Sequence, residues 1–436
     1  MKFTKLIKPT ASPFLLFLPF LVFYVVIAVV FHKPTVYGDE VRYFTFAQRL
    51  GHGYYSLPEP DVNLSNGPGY PLVLMPFVAL GCSTLILGIL NAVFYYLSVV
   101  FVYKTLRLVA SFGMALGFGL FWACYYNSYQ EIPYVLTEPI TSLVSALLMY
   151  YLVKAYTPGD ARKKKKYAII AGIILGYLVL TKIIFGYVLM TQVAGTLILW
   201  LLKRSSEDFR KGLLISLIGL AVTVPYLIYT FSLTGKLFYW GSSGGDSLYW
   251  MSTPYEGEYG DWNTYPRIPK PDDATVFYAM DSTGAHHKKD IDDIYSYSGS
   301  ARDDMFKKYA LANITAHPVK FIQNCISNLG RVFFSVPNSY TLQSNKNLIR
   351  LPLGGFVLLL SLFSLVLTCL NWRNVLYPLR YMLLAVIMYL GLTMLVSAAT
   401  RMLTVIVPIL LVWNVYIIQR TVTIRLAFGK NGEQPD

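Results

Sequence analysis

The chain has 436 residues, of which 55% are hydrophobic and 14% are charged, and its formal net charge is +14. Because soluble domains carry about a quarter of their residues as charged side chains, this composition excludes an ordinary soluble protein and indicates an integral membrane protein. The basic residues gather in alternate segments between apolar runs, which is typical of membrane topology, so we predict no nucleic-acid partner.

The apolar runs predict an all-α polytopic membrane protein with about ten transmembrane helices. The predicted spans are residues 13–31, 83–107, 111–128, 133–154, 167–181, 184–202, 211–233, 351–370, 378–397 and 402–420. The first run has lysines before it but no small-residue cleavage site after it, so we expect a retained helix. The pair 167–181 and 184–202 either crosses twice or forms one bent re-entrant unit.

The distribution of basic residues predicts the orientation. The run from Arg162 to Lys166 is expected to be a cytoplasmic anchor, which places the N-terminus in the cytoplasm. The chain then divides into an N-terminal membrane module (1–233) with an outer first loop (32–82), an outer loop domain (234–350), and C-terminal membrane helices with a cytoplasmic tail (351–436).

The first outer loop contains the segment Asp39-Glu40-Val41-Arg42-Tyr43. Asp39 and Arg42 are three residues apart and share a face if the segment is helical, so a candidate base lies beside a candidate phosphate clamp. Charges near hydrocarbon are costly and tend to be functional. Helix capping by Asp39 and a purely structural salt bridge remain alternative interpretations. A short amphipathic helix is expected at 44–50 and a surface helix at 72–80.

Three further charges are predicted at the outer face. Lys182 and Arg401 lie between apolar runs, where snorkelling is the simple explanation, although together with Arg42 they would form a phosphate-binding cluster. Glu138 begins a helix in Thr137-Glu138-Pro139, so it is either a cap of that helix or a carboxylate directed towards the same site.

The long outer loop offers less specific signals. Its aromatic run at 239–265 predicts either a small apolar core or a sugar-stacking surface. His286 and His287 next to Asp290 are more readily explained as a solvated loop than as a metal site. Cys82 and Cys325 both lie outside, so a disulfide and two free thiols are both open.

The motifs together resemble the C-type (GT-C) membrane glycosyltransferases, in particular the group of protein O-mannosyltransferases and lipid A aminoarabinose transferases. The matching features are Asp39-Glu40-Val41-Arg42-Tyr43, Gly67-Pro68-Gly69-Tyr70-Pro71, Thr137-Glu138-Pro139, Leu180-Thr181-Lys182 and the helix from Arg401 to Pro408. The segment 234–300 has no counterpart in this resemblance.

The resemblance implies an inverting transferase that moves a sugar from a polyprenyl-phosphate donor to an acceptor hydroxyl. Asp39 would be the catalytic base. The residues implied in substrate binding are Glu40, Arg42, Tyr43, Tyr70, Glu138, Lys182 and Arg401. No cofactor is expected, although a divalent metal stays open because metal need varies in this family.

The expected setting is a bacterial inner membrane with the site facing the periplasm, and the acceptor is a glycan, lipid or protein of the cell envelope, such as lipopolysaccharide. A transporter or flippase of lipid-linked sugars is the main alternative, but it would typically show internal repeats and polar residues at mid-membrane. A polymerase or ligase of lipid-linked saccharides is a second alternative.

Overall fold

The computed structural model of the chain describes residues 12–201, 206–263, 279–339 and 347–422. Every regular element in these ranges is a helix, as the sequence predicts. The first lysines, the tail after residue 422 and the last aromatic residue of the run at Tyr265 lie outside the described residues.

The helices alternate between long apolar segments and short connecting ones. In the first half they are α1 (Pro13–Leu16), α2 (Leu18–Val30), α3 (Asp39–Gly51), α4 (Gly69–Ala79), α5 (Thr84–Val109), α6 (Phe112–Ala123), α7 (Tyr126–Tyr129), α8 (Glu138–Tyr156), α9 (Ala161–Thr181), α10 (Ile184–Leu201) and α11 (Glu207–Thr234). In the second half they are α12 (Gly244–Met251), α13 (Ala279–Ile294), α14 (Gly299–Ala316), α15 (Pro318–Phe334), α16 (Asn347–Leu370), α17 (Tyr377–Leu395), α18 (Arg401–Thr404) and α19 (Val407–Thr421).

Six of the described helices are long and apolar enough to cross a membrane, namely α5, α8, α10, α11, α16 and α17. Three more, α2, α4 and α6, are apolar but shorter. The chain is therefore a multi-pass membrane protein, while the total of about ten spans stays a prediction.

Helix α9 is longer than the sequence predicts. It begins at Ala161 rather than at residue 167, because the side chain of Asp160 accepts hydrogen bonds from the amides of Arg162 (2.7 Å) and Lys163 (3.2 Å) and caps the helix. The basic run from Arg162 to Lys166, which the sequence predicts as a cytoplasmic anchor, is thus the first and largely exposed part of α9.

Helix α19 lies at the centre of the membrane helices. All its residues from Val407 to Ile417 are buried, and it packs against α5, α8, α16 and α17. A helix that is apolar on every side is expected to be fully enclosed. Because α19 is buried on all sides, the short helix α18 that directly precedes it is held at the end of the bundle.

Glycines allow α9 and α11 to pack closely. A Cβ placed on Gly172 would lie 2.7 Å from Cβ of Ile218, and one on Gly176 would lie 2.5 Å from the carbonyl oxygen of Gly219. Small residues at four-residue spacing are a usual way for membrane helices to approach each other. This contact holds the end of α9 in place.

The long outer loop forms its own small apolar core. The buried residues of that core are Tyr249, Trp250, Ile291, Ile294, Phe306 and Ala310. The core interpretation of the aromatic run therefore holds for Tyr249 and Trp250 at least. All four cysteines are free thiols, so the alternative of a disulfide between Cys82 and Cys325 is wrong.

Helix α15 has its polar side towards the protein and its apolar side outwards. Asn324 and Asn328 are buried, whereas Val319, Ile322 and Ile326 are exposed. An exposed apolar stripe on an amphipathic helix is typical of a helix that lies at a membrane interface. In this orientation the polar face of α15 lies against α16, α17 and α18.

Candidate active site

Asp39 is the first residue of α3 and lies between two guanidinium groups. Arg42, one turn further along α3, contacts Oδ1 of Asp39, and Arg401 of α18 contacts Oδ2. The residue at the cap position is Gly38, whose φ of 57° suits glycine. The capping interpretation of Asp39 is therefore wrong, and both carboxylate oxygens face arginines.

The two arginines determine the ionisation of Asp39. Burial raises the pKa of the carboxyl, but the nearby charges of Arg401 and Arg42 outweigh burial and hold the pKa below its ordinary value. The group is accordingly a stable carboxylate at neutral pH.

Glu138 and Lys182 form a second ion pair. Nζ of Lys182 lies 2.9 Å from Oε1 of Glu138, and the Glu138 side chain is only 1% exposed. Thr137 makes no side-chain capping bond at the start of α8, so Glu138 serves the pair rather than the cap. Its Oε2 is buried and has no hydrogen-bond partner, which leaves one acceptor position for a polar group.

The glycines of the first outer loop bring that loop against the end of α9. A Cβ on Gly67 would overlap the carbonyl oxygen of Leu180, and one on Gly69 would overlap Oγ1 of Thr181. Only residues without a side chain permit this approach. The contact places the first outer loop directly beside Lys182.

Glu40, Tyr43 and Tyr70 have supporting contacts. Oε1 of Glu40 accepts a hydrogen bond from the amide of Val135 at 2.7 Å, which joins α3 to the segment before α8. The hydroxyl of Tyr43 accepts a bond from Nδ2 of Asn66 at 3.1 Å. Tyr70 is fully buried and its hydroxyl donates to Oδ1 of Asn91 at 3.2 Å.

A cavity of about 730 Å³ lies at this end of the bundle. Its size is in the range of small-molecule sites. Of the predicted residues, those that line it are Asp39, Arg42, Tyr43, Lys182 and Arg401. Glu40, Tyr70 and Glu138 do not line it, because their side chains are directed into the contacts between elements. For these three the placement favours a positioning role over the predicted substrate contact.

Two arginines that the sequence analysis did not select also line the cavity. Arg331 is on the polar face of α15 and Arg350 is in the first turn of α16. Both belong to the charge-rich outer loop, where single charges do not stand out. The signal for Arg331 is its position seven residues after Asn324 and three after Asn328, a helical spacing that marks the inner face of an amphipathic helix.

Glu131 is a third group that the sequence analysis missed. It is half-buried in the segment between α7 and α8. Burial and the neighbouring Glu138 raise the pKa of its carboxyl to about 7, although Arg401, Arg350 and Lys182 act in the opposite direction. Glu131 is thus within electrostatic reach of the site and titrates near neutral pH.

The histidine pair of the long loop is not the solvated loop that we expected. His287 is 1% exposed, and its Nε2 lies 2.9 Å from Oε2 of Glu258. Nδ1 of His286 lies 2.7 Å from the other oxygen of the same carboxyl. The described residues contain no group of three or more His, Cys, Asp or Glu side chains arranged to hold a metal ion.

Two solved structures share part of this helix arrangement. One is the archaeal oligosaccharyltransferase AglB from Archaeoglobus fulgidus in complex with an inhibitory peptide and a dolichol-phosphate, with a TM-score of 0.47 and 13% identity over 92% of this chain and 50% of that chain. The other is ArnT from Cupriavidus metallidurans bound to undecaprenyl phosphate, with a TM-score of 0.40 and 14% identity over 90% of this chain and 77% of that chain.

Both proteins are C-type glycosyltransferases, the group that the sequence motifs resemble. This chain spans about half the length of the AglB chain. No protein-family model and no curated protein matches the sequence. At these identities and TM-scores, neither likeness assigns an activity or a residue role to this chain.

Proposed function

We propose that the protein is an inverting glycosyltransferase that moves a sugar from a polyprenyl-phosphate donor to an acceptor hydroxyl at the outer face of the membrane. The observation that carries this proposal is a carboxylate, Asp39, held between two arginines in a cavity of about 730 Å³ at the end of apolar helices. A lipid-linked donor needs a site at the membrane face, and a phosphate leaving group needs cations there.

In the proposed reaction the acceptor oxygen attacks the anomeric carbon from the side opposite the phosphate. The bond between that carbon and the phosphate oxygen breaks, and its electron pair leaves with the lipid phosphate. The acceptor proton passes to Asp39, and the configuration at the anomeric carbon is inverted. Positioned bases of this kind contribute about 100-fold to 10,000-fold in rate.

The ion pairs of Asp39 explain how donor binding would activate the base. Arg42 has a side chain that is 38% exposed and lines the cavity, so a donor phosphate can recruit it. Once Arg42 binds the phosphate, Asp39 loses one of the charges that lower its pKa and becomes a stronger base. The same arginine would then stabilise the charge that develops on the leaving group.

Lys182 and Glu138 would support the same step. Lys182 lines the cavity while its charge is balanced by Glu138, so it would hold the phosphate as a donor of hydrogen bonds. Glu138, which does not line the cavity, would position the amine of Lys182 through their ion pair. No cofactor enters this mechanism.

The decisive test is the substitution Asp39→Asn, assayed in proteoliposomes with a polyprenyl-phosphate sugar. We expect transfer to fall by at least about 100-fold while the protein still inserts and melts cooperatively. Asp160→Asn is a matched control, because it also removes one carboxylate, lies at the other end of α9 and leaves a good capping residue. Near-normal transfer by Asp39→Asn would refute the base assignment.

Lipid that co-purifies with the protein identifies the donor class. We expect mass spectrometry of an organic extract to find a polyprenyl phosphate, and an attached sugar would name the transferred group. The acceptor is proposed to be a glycan, lipid or protein of a bacterial cell envelope, with the cavity facing the periplasm. Transport of a lipid-linked sugar across vesicles without transfer would favour the flippase alternative instead.

A further inference from the structure

Arg331 and Arg350 are connected through Ser335, the residue that directly follows α15. Nη1 of Arg350 donates a hydrogen bond to Oγ of Ser335 at 3.2 Å, and the amide of Ser335 bonds to the carbonyl oxygen of Arg331 at 2.9 Å. Both arginines line the cavity that also contains Asp39. Two cations from different helices are therefore held on one wall of the proposed site.

Neither arginine has an acidic partner. Arg331 donates to the carbonyl oxygens of Tyr259 (2.8 Å) and Pro337 (3.1 Å) and to Oδ1 of Asn328 (3.0 Å). Arg350 donates to Oε1 of Gln130 at 2.9 Å as well as to Ser335. Within the described ranges neither guanidinium forms a salt bridge, and Nε of each is buried without a partner.

The other cations of the cavity differ in this respect. Arg42 and Arg401 are paired with Asp39, and Lys182 is paired with Glu138. These five groups have a net charge of +1 when all are ionised. Asp246 also lines the cavity and accepts a hydrogen bond from Nε1 of Trp262, but in the part of the chain that the structure describes it forms no salt bridge with Arg331 or Arg350.

Burial makes this charge costly. Arg331 is 2% exposed, and burial lowers its pKa to about 10 despite the opposing effect of Asp261. Asp261 also lines the cavity, but the amide and hydroxyl of Ser339 hold its carboxylate. A buried cation without a counter-ion is unfavourable unless a ligand supplies the negative charge.

The wall around the two arginines is rich in hydrogen-bonding groups. Ser335, Asn338 and Asn347 also line the cavity. The hydroxyl of Ser335 also lies 2.6 Å from Oγ1 of Thr400, the residue before Arg401. This wall is therefore connected to the segment that positions the partner of Asp39.

We propose that Arg331 and Arg350 form an anion-binding site for a phosphate or carboxylate group of one of the two substrates. The inference rests on the proposed transferase function only for the identity of those substrates. Guanidinium groups bind such oxyanions through paired hydrogen bonds. The anion would balance the charge of these two arginines and fix one substrate in the cavity that also contains Asp39.

The test measures binding of undecaprenyl phosphate and of inorganic phosphate to the full-length protein in detergent. The main variant is Arg350→Gln, because Arg350 is only partly buried and its loss leaves α16 intact. We expect phosphate binding to weaken by about tenfold or more, and Arg350→Lys to restore part of it. Arg331→Lys is the second variant, since lysine keeps the positive charge but lacks the planar guanidinium group with its paired N–H donors.

The matched control is Arg373→Gln, which removes an exposed arginine of the short turn between α16 and α17. It should bind phosphate like the unmodified protein. Equal melting temperatures of Arg350→Gln and Arg373→Gln would separate a binding defect from a structural one. If Arg350→Gln binds both probes as tightly as the control does, the proposed site is refuted.

Steady-state kinetics distinguish the two sources of the anion. A rise in KM for the donor, together with weaker undecaprenyl phosphate binding, assigns the site to the lipid phosphate. A rise in KM for an anionic acceptor, with the donor KM unchanged, assigns it to the acceptor. Either result supports the anion site, and unchanged values of both contradict it. The Asp39→Asn assay remains independent, so failure here leaves the transferase proposal standing.

Discussion

Ion pairing lowers the pKa of Asp39, whereas a catalytic base needs a pKa high enough to accept a proton. Arg42 and Arg401 hold the pKa of Asp39 low, which keeps the group charged but makes it a weak proton acceptor. The conflict is resolved if a substrate anion takes over one arginine before the proton moves. Under the proposed function, this arrangement predicts an ordered reaction in which the phosphate donor binds before the acceptor.

The raised pKa of Glu131 predicts how the stability of the fold depends on pH. Its folded-state pKa of about 7 lies above the ordinary value of 4.5 for a glutamate, so the stabilisation from its protonated form is complete at low pH and is lost as the pH rises through about 7. We expect Glu131→Gln to melt at a higher temperature than the unmodified protein at about pH 8, and the two to converge near pH 5.

The exposed carboxyl of Glu256 provides the control for this measurement. Glu256→Gln should leave the dependence of melting temperature on pH unchanged, since its side chain is in solvent in the folded and unfolded states alike. A Glu131→Gln protein with the same pH dependence as the unmodified one would mean that burial does not bring this group to neutral pH.

Among the helices, α9 connects packing to the site. Its glycines set the distance to α11, and its last turn lies against the first outer loop immediately before Lys182. Lys182 adopts an extended backbone conformation as the residue that ends the helix. A shift of α9 along or away from α11 would therefore move the amine of Lys182 relative to Glu138.

Enlarging Gly176 tests this connection. We expect Gly176→Val to destabilise the fold by about 1–3 kcal/mol through overpacking and to reduce transfer activity, as measured by melting temperature and turnover. Gly195→Val is the matched control, because Gly195 of α10 is exposed and nothing lies near its Cβ position. Similar melting temperatures for the two variants would show that α9 and α11 can separate at little cost.

For the molecule as a whole, the pairing of Asp39 with Arg401 joins the first outer loop to the last membrane segment, across 362 positions of sequence. Arg401 follows Thr400, which is bound to the carbonyl oxygen of Arg331 at 2.9 Å. The site thus assembles only when the first loop, α15 and the C-terminal helices have all docked.

The substitution Arg401→Gln tests this long-range contact. Because the folded pKa of Asp39 lies below its unfolded value, the pairing stabilises the fold above the unfolded pKa and is lost as the pH falls through the folded pKa. We expect Arg401→Gln to lose about 1–3 kcal/mol at neutral pH. Its melting temperature should approach that of the unmodified protein as the pH is lowered, and a constant difference would contradict this account.

The sequence predicted the features that depend on neighbouring residues. The apolar runs indicated nearly every long helix, because burial in lipid needs a continuous apolar segment. The spacing of Asp39 and Arg42 indicated their contact, because residues three apart share a helix face. The sequence predicted a membrane span at 167–181 and a cytoplasmic anchor before it; the structure adds that both belong to one helix, because Asp160 caps α9 at its start.

Tertiary structure decided which charges are paired and which are free. No local pattern connects Asp39 with Arg401 or Glu138 with Lys182, because these contacts form only when distant segments pack together. The sequence did not single out Arg331 and Arg350, because they belong to a loop with many charged residues. It did single out Asp39 and Lys182, because apolar residues surround them. By itself the sequence determined a membrane protein with a carboxylate and an arginine one helical turn apart. Folding determined that, among the described residues, Arg331 and Arg350 form no salt bridge, because ion pairs depend on proximity in space.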